Sequence, residues 1–223
     1  MHQQISKKIL VYLFIFFSVG TFNNKKITEF DFTDINNFKI KGLTEFESNQ
    51  LSQQLNFIKH SNIFFLDKKE ILKILHSNKA FEKFSIFKNY PSNLIIDIKR
   101  TKFLALTKKD NSNYYIGSNG NLIKTKDIQT DIPFVFGEIA IEEFLKLKKI
   151  IDKSGFDYND IKNLYYFKSK RWDIETNDNL IIKLPIENLE TSFRILLQIY
   201  QEEEFSGFGI IDLRQNNQII LNG

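Results

Sequence analysis

The chain has no cysteine, three prolines and three histidines among its 223 residues, and its only arginines are Arg100, Arg171, Arg194 and Arg214. Without cysteine there is no disulfide, iron–sulfur cluster, thiolate zinc site or thiol nucleophile. His2, His60 and His76 offer little for a metal site or a triad, and histidine is the usual general base. So little Pro with only nine Gly excludes collagen-like and Pro-rich disordered chains. Scarce arginine argues against a nucleic-acid reader, because the guanidinium fork is the preferred tool for phosphate and guanine. The 31 basic residues are almost all lysine and are mixed with 27 acidic ones. The net charge of +4 therefore forms no basic stripe, and no nucleic acid is expected as a partner.

Chemistry-bearing motifs are also missing. There is no Gly-x-Ser-x-Gly elbow and no His-Glu-x-x-His helix. Gly117-Ser118-Asn119-Gly120 is followed by Asn121-Leu122-Ile123, not by the Lys and Ser or Thr that open a helix in a phosphate-binding loop, so it reads as a hairpin turn. Carboxylates are plentiful, but no pair is singled out. Asp212 and Arg214 share one face of a strand at i, i+2 and are expected to form a surface ion pair worth under about 1 kcal/mol. Trp172, the single tryptophan, is expected in the core. No catalytic residue, cofactor or metal ligand is assigned.

What is present is a 42% hydrophobic composition, ample for one large domain or two small ones. Residues 9–22 read ILVYLFIFFSVGTF, with Lys7 and Lys8 before the run and Lys25 and Lys26 after it. Such a stretch makes a helix of about 21 Å against a hydrocarbon core of about 30 Å. Two readings stay open from residues alone: a membrane anchor, helped by lysine snorkelling, or a cleaved signal peptide with Ser18-Val19-Gly20 as its small-residue site. Both export the remainder.

Residues 27–36 form a lead-in. Phe38-Lys39-Ile40-Lys41 alternates before Gly42 as a strand. Thr44 and Glu47 form a capping box for a helix with Phe46, Leu51, Leu55 and Ile58 facing inward. Asp67 caps a second helix with Ile71, Leu72, Ile74 and Leu75 inward. Strands follow at 84–88 and 94–99, the latter with Leu94, Ile96 and Ile98 on one face. The order over 35–101 is β-α-α-β-β. Beyond it come a strand at 103–107, a hairpin around 114–123, an amphipathic helix at 138–153 ended by Gly155, and strands at 161–168, 171–175 and 180–184. A helix at 187–203 ends in Glu202-Glu203-Glu204, which sit badly with the helix dipole and are expected to fray. Strands at 209–214 and 218–221 flank Gln215-Asn216-Asn217. The last strand either sits at a sheet edge, where an extended partner could add to it, or lies between earlier strands.

Several local sequences in this order resemble the FtsQ/DivIB family of bacterial cell-division proteins. Phe38-Lys39-Ile40-Lys41-Gly42 is similar to the family's opening POTRA strand, and Asn62-Ile63-Phe64-Phe65-Leu66-Asp67 to its link into the second helix. The run from Tyr90 through Pro91 to Arg100 looks like the closing strand P-x-x-L-x-I-x-V-x-E-R. The 114–123 hairpin and Ile211-Asp212-Leu213-Arg214 resemble the next hairpin and the "IDLR" strand. Lys99 and Phe103 depart from the usual Glu and Pro, and Gly117 stands where the family has a polar residue.

The resemblance implies an α+β fold. A cytoplasmic tail (1–8) and a single N-terminal membrane helix (9–27) precede a POTRA domain (35–101) and a mixed β domain with two helices (102–223). It turns the N-terminal reading toward an anchor. It implies a non-enzymatic, cofactor-free scaffold of the division machinery in the cell inner membrane, with the N-terminus cytoplasmic and the bulk periplasmic at the septum. The implied partners are FtsB-like and FtsL-like proteins, bound by strand addition, and other septal proteins through the POTRA domain. The implied binding residues are Ile211, Asp212, Leu213 and Arg214, which match the family motif, and Gln218, Ile219, Ile220 and Leu221, which correspond by position. Ile220→Pro is then expected to weaken binding with limited loss of fold. The rival readings are a POTRA-containing transport or assembly component, which would need barrel strands absent here, and an exported soluble enzyme.

Overall fold

The computed structural model describes residues 7–22, 33–126, 128, 131–201, 209–215 and 218–222. Helix α1, Lys7–Phe22, has 16 residues and a length of about 24 Å. Among the described residues no helix is long and apolar enough to cross a membrane. The span expected at 9–27 continues into residues 23–27, which lie outside the described residues, as do residues 1–6 of the tail and 27–32 of the lead-in. So do the acidic run Glu202–Glu204 and the turn residues Asn216 and Asn217. The chain divides into two units, Met1–Ser77 with Lys83–Lys99, and Asn78–Glu82 with Arg100–Gly223.

The first unit runs β1 (Asn37–Lys41), α2 (Glu45–Gln54), a 3-10 turn (Asn56–Ile58), α3 (Lys68–Ser77), β2 (Phe81–Asn89) and β3 (Asn93–Arg100). The sheet order is β1-β3-β2, with β1 parallel to β3. Thr44 and Glu47 close the capping box reciprocally, satisfying donors that the first helical turn leaves orphaned. Asp67 accepts from the Lys69 amide at 2.9 Å and starts α3. Leu51, Leu55, Ile58, Ile63, Ile71 and Leu75 pack with Leu94, Ile96 and Ile98 in a core open to less than 6% of their surface. Phe46 does not join them and is exposed. At about 100° per residue it lies about 140° from Leu51 around the helix and opposite Leu55, so the stripe expected from spacing is too wide. Gly42 closes β1 at φ +85°, where an added Cβ would stand 1.8 Å from the Ile98 carbonyl oxygen; only glycine fits such an approach.

The second unit contains β4 (Phe103–Lys109), β5 (Ser112–Gly117), β6 (Leu122–Thr125), β7 (Phe134–Phe136), α4 (Ile141–Ser154), β8 (Ile161–Tyr166), β9 (Trp172–Thr176), β10 (Ile181–Lys183), α5 (Leu189–Gln201), β11 (Ile210–Asp212) and β12 (Ile220–Asn222). They form one sheet in the order β12-β11-β10-β9-β8-β7-β4-β5-β6. Parallel pairs are β4 with β7, β7 with β8, and β10 with β11. Helix α4 links β7 to β8 and α5 links β10 to β11, the crossovers that parallel neighbours require.

One row of the sheet, Val135, Leu164, Ile174, Ile182, Ile211 and Leu221, lies in cross-strand register and points to the helices. Phe144, Leu147 and Ile151 of α4 and Phe193 and Leu196 of α5 complete this core, with Trp172 inside it as expected. Strand β7 has no counterpart among the elements expected from sequence. Three residues between Pro133 and Gly137 are too few to show an alternating pattern, yet all three pair with β8 and two of them, Phe134 and Val135, also with β4. Gly137, at φ +104°, turns the chain away where a Cβ would meet the Tyr166 carbonyl oxygen at 2.2 Å.

Candidate functional site

The C-terminal strand β12 is one of the two edges of the second unit's sheet, β6 being the other. β12 ends the sheet, with β11 as its only neighbour among the described residues. The direction of its backbone groups follows from β11. The Ile181 amide donates to the Gly209 carbonyl at 2.9 Å, and the Leu213 amide to the Lys183 carbonyl at 2.9 Å. In a parallel pair these bonds leave Ile211 with both of its backbone groups turned to β10, so Ile210 and Asp212 turn theirs to β12. The registers Ile210↔Asn222, Ile211↔Leu221 and Asp212↔Ile220 then make Ile220 and Asn222 the residues bonded to β11. Leu221 N–H and C=O point outward from the sheet edge. The Ile220 amide is an internal one, so Ile220→Pro would break β12 away from its own sheet; the residue whose amide a partner strand could use is Leu221.

Of the eight residues expected from sequence, Ile211 and Asp212 lie in β11, with Leu213 and Arg214 just past its end. Ile220 and Leu221 lie in β12, and Gln218 and Ile219 precede it. The Ile219 and Ile220 side chains are exposed, whereas Ile211 and Leu213 belong to the core and Leu221 packs against it. Gln218 and Ile219 also line a groove of about 710 Å³ with Leu213 and with Asn188, Thr191 and Ile195 beside and on α5. No residue pattern singles out this helix face, because its polar and apolar positions look like any solvated amphipathic surface.

Asp212 and Arg214 are more than a surface pair. Arg214 Nε donates to both carboxylate oxygens of Asp212, at 2.8 and 2.9 Å, the Nη2 group reaches the second oxygen as well, and the Arg214 amide adds a bond of 3.0 Å. Asp212 is only 6% exposed. Hydrogen bonds from Arg214 hold its pKa below the usual carboxylate value, and Asp212 in turn raises that of Arg214.

The same face carries a charged row across the strands. Tyr165, Asp173, Lys183, Asp212 and Ile220 stand opposite one another in turn. Asp173 is buried, which raises its pKa, while Arg171 at 3.2 Å opposes the shift. Glu175 accepts from Tyr165 Oη at 2.6 Å and Asn163 Nδ2 at 2.9 Å, which lowers its pKa. These groups satisfy each other, and no buried side-chain nitrogen or oxygen is left without a partner among the described residues. Such a network orders a sheet surface; it does not aim a nucleophile or a base at a cavity.

Comparison with known proteins gives a consistent result. Residues 105–214 match the family model described as cell division protein FtsQ/DivIB, C-terminal. The cell division protein FtsQ of Rickettsia bellii is 25% identical over 191 residues, spanning 82% of this chain and 70% of that protein. The cell division protein DivIB of Clostridium botulinum is 27% identical over 157 residues, spanning 70% of this chain and 54% of that protein. A solved structure of the major extracytoplasmic domain of DivIB from Geobacillus stearothermophilus aligns with 43% of this chain and 87% of its own at 13% identity and a TM-score of 0.34, a likeness too slight to define the fold.

Proposed function

The chain belongs to the FtsQ/DivIB family of cell division proteins by its residues 105–214, and from that membership we propose that it is a non-enzymatic scaffold of the division machinery, binding an extended segment of an FtsB/FtsL-type partner at β12. The observation that carries this reading is the outward Leu221 backbone at the end of the sheet, beside the groove against α5. A partner strand laid antiparallel or parallel to β12 would bond Leu221 and rest side chains on Ile219 and Ile220. The groove offers room for a following turn or helix of the partner.

In this reading residues 9–27 anchor the chain in the inner membrane with residues 1–8 in the cytoplasm. The lysines on either side snorkel to the interfaces, and local thinning makes up the missing length. The first unit is a POTRA-type domain, supported by its β-α-α-β-β order and the glycine after β1, and serves recruitment to the septum. The exported remainder lies in the periplasm.

The test is co-purification of the full chain with the FtsB-like and FtsL-like proteins of the same organism. Capture by wild type, weakened in Leu221→Pro beyond any loss in Leu221→Ala, supports strand addition. A folded wild-type chain that captures neither protein sinks the partner assignment.

A further inference from the structure

The first unit displays an aromatic cluster on the loop joining α2 to α3. Outside α1, the exposed large apolar side chains of this unit, among the described residues, are Phe46, Phe57, Phe64, Phe65, Phe87 and Tyr90. All six are aromatic, and four of them fall into two pairs, one on the loop and one joining the loop to Tyr90. Phe64 stacks on Tyr90 at 4.8 Å between ring centroids, and Phe57 and Phe65 line one shallow depression with Leu66. Phe65 is 88% exposed.

The loop is held, not loose. Ile63 and Phe64 sit in a turn whose first side chain is fully buried and whose second points out. Asn62 Oδ1 accepts from the Phe64 amide at 2.9 Å, and Asn62 Nδ2 donates to Thr33 Oγ1 at 2.7 Å. The Ile63 amide donates to the Thr33 carbonyl at 2.9 Å, and the Ile35 amide to the Ser61 carbonyl at 3.0 Å. These bonds tie the aromatic loop to residues 33–35. Thr33 follows α1 by ten intervening residues, a stretch that reaches at most about 40 Å when fully extended.

From this placement we propose that Phe57, Phe64, Phe65 and Tyr90 rest in the interfacial layer of the same bilayer that holds α1, a second, reversible membrane contact of the first unit. The inference rests on the anchoring of residues 9–27 proposed above. Aromatic rings are side chains that partition to the headgroup level. The charge beside the loop is mixed: Lys59 and Lys69 stand near it in sequence, whereas Asp67 and Glu70 line the depression with Phe57 and Phe65 and Lys68 donates to the Ile86 carbonyl, so the rings rather than the charge carry the contact. The loop is also the part of the unit bonded closest in the chain to the anchor, which puts a lipid surface within reach at high effective concentration.

The full chain with Phe65→Trp, reconstituted into vesicles of phosphatidylethanolamine and phosphatidylglycerol, reads the contact directly. Wild type, whose single Trp172 is buried, supplies the blank, and the substitution at so exposed a site leaves the fold intact. Emission from the introduced indole is expected to be quenched at least twofold by acyl-brominated lipid and protected from aqueous iodide. A chain that floats with the vesicles but whose introduced indole is quenched by iodide and not by brominated lipid overturns the contact while leaving the anchor. Protection from both quenchers means that protein covers the loop, and also overturns it. A chain that does not float overturns the anchor and this contact together.

Discussion

Leu221 stands opposite Ile211 across the β11–β12 pair without exchanging backbone hydrogen bonds with it, and so, among the described residues, keeps a free donor and acceptor on the outer edge of the sheet. The side chain of the same residue faces the core. Three substitutions separate the two roles. Leu221→Ala removes core contact alone and, since the side chain is only partly buried, is expected to cost about 1–2 kcal/mol of stability. Leu221→Pro removes the outward amide as well, so the excess loss of partner affinity over alanine reports the intermolecular bond, about 1 kcal/mol or five-fold in Kd. Ile220→Pro breaks an internal ladder bond and should lower the melting temperature of the unbound protein. Titration calorimetry beside thermal melts checks all three.

Acid sensitivity should pass through Asp212. Its pKa is lowered in the folded state by Arg214, so its stabilisation is fully present above the carboxylate's unfolded value near 3.9 and fades as pH falls through the lower folded value. Asp173, raised by burial, works in the other direction over its own range: ionising it costs stability as pH rises from the unfolded to the folded value. Asp212→Asn is expected to cost about 1–2 kcal/mol at pH 7 and to flatten the loss of stability below about pH 4. Urea melts at neutral and at acid pH test this; an unchanged acid slope would count against the clamp.

Gly42→Ala and Gly137→Ala should each destabilise their own unit. Both replace glycine at positive φ where the Cβ would meet a carbonyl oxygen, and the strained conformation alone costs about 1–3 kcal/mol. Two-probe unfolding, by hydrogen exchange of β3 amides and of β8 amides, is expected to show the first substitution in β3 and the second in β8.

Asn119 is a small latch inside the second unit. Its side-chain amide donates to the carbonyls of Lys79 and Phe81 at 3.0 and 3.2 Å, and its own backbone amide donates to Thr101 Oγ1 at 3.2 Å. Asn119→Ala removes these donors, leaving the Lys79 carbonyl only the longer 3.5 Å bond from Asn121 Nδ2, and is expected to cost about 1–2 kcal/mol. Asn119→Asp keeps the size but loses the donors, so a melt as low as that of the alanine variant attributes the effect to the bonds.

Long periodic elements are readable from residues because burial imposes a repeat. The alternation Leu94-Ile96-Ile98, the α3 stripe of Ile71 and Leu75 and the Thr44 capping box all appear where expected. The cell-division family is legible too, through a succession of short motifs. Three-residue β7 is not, since its burial comes from β4 and β8, strands distant in sequence. The burial of Asp212 is hidden for a similar reason: i, i+2 spacing gives the shared face with Arg214 but not Lys183 and Asp173, which stand beside it in the cross-strand row. The direction of the Leu221 backbone depends on the register of β11 against β10, which no local pattern encodes.

The position of β7 bears on how the second unit assembles. On one side of it lie β4, β5 and β6, on the other β8, β9 and β10, each set joined by antiparallel pairings between consecutive strands. Such local hairpins close quickly, whereas parallel seams wait for a crossover to be laid down. Two half-sheets are therefore expected to form early and to merge late, when α4 docks and β7 bonds to β4 and β8 at once. The rate-limiting event of folding would then sit at Phe134, Val135 and Phe136, far from the β12 edge, and Val135→Ala should slow refolding more than it speeds unfolding.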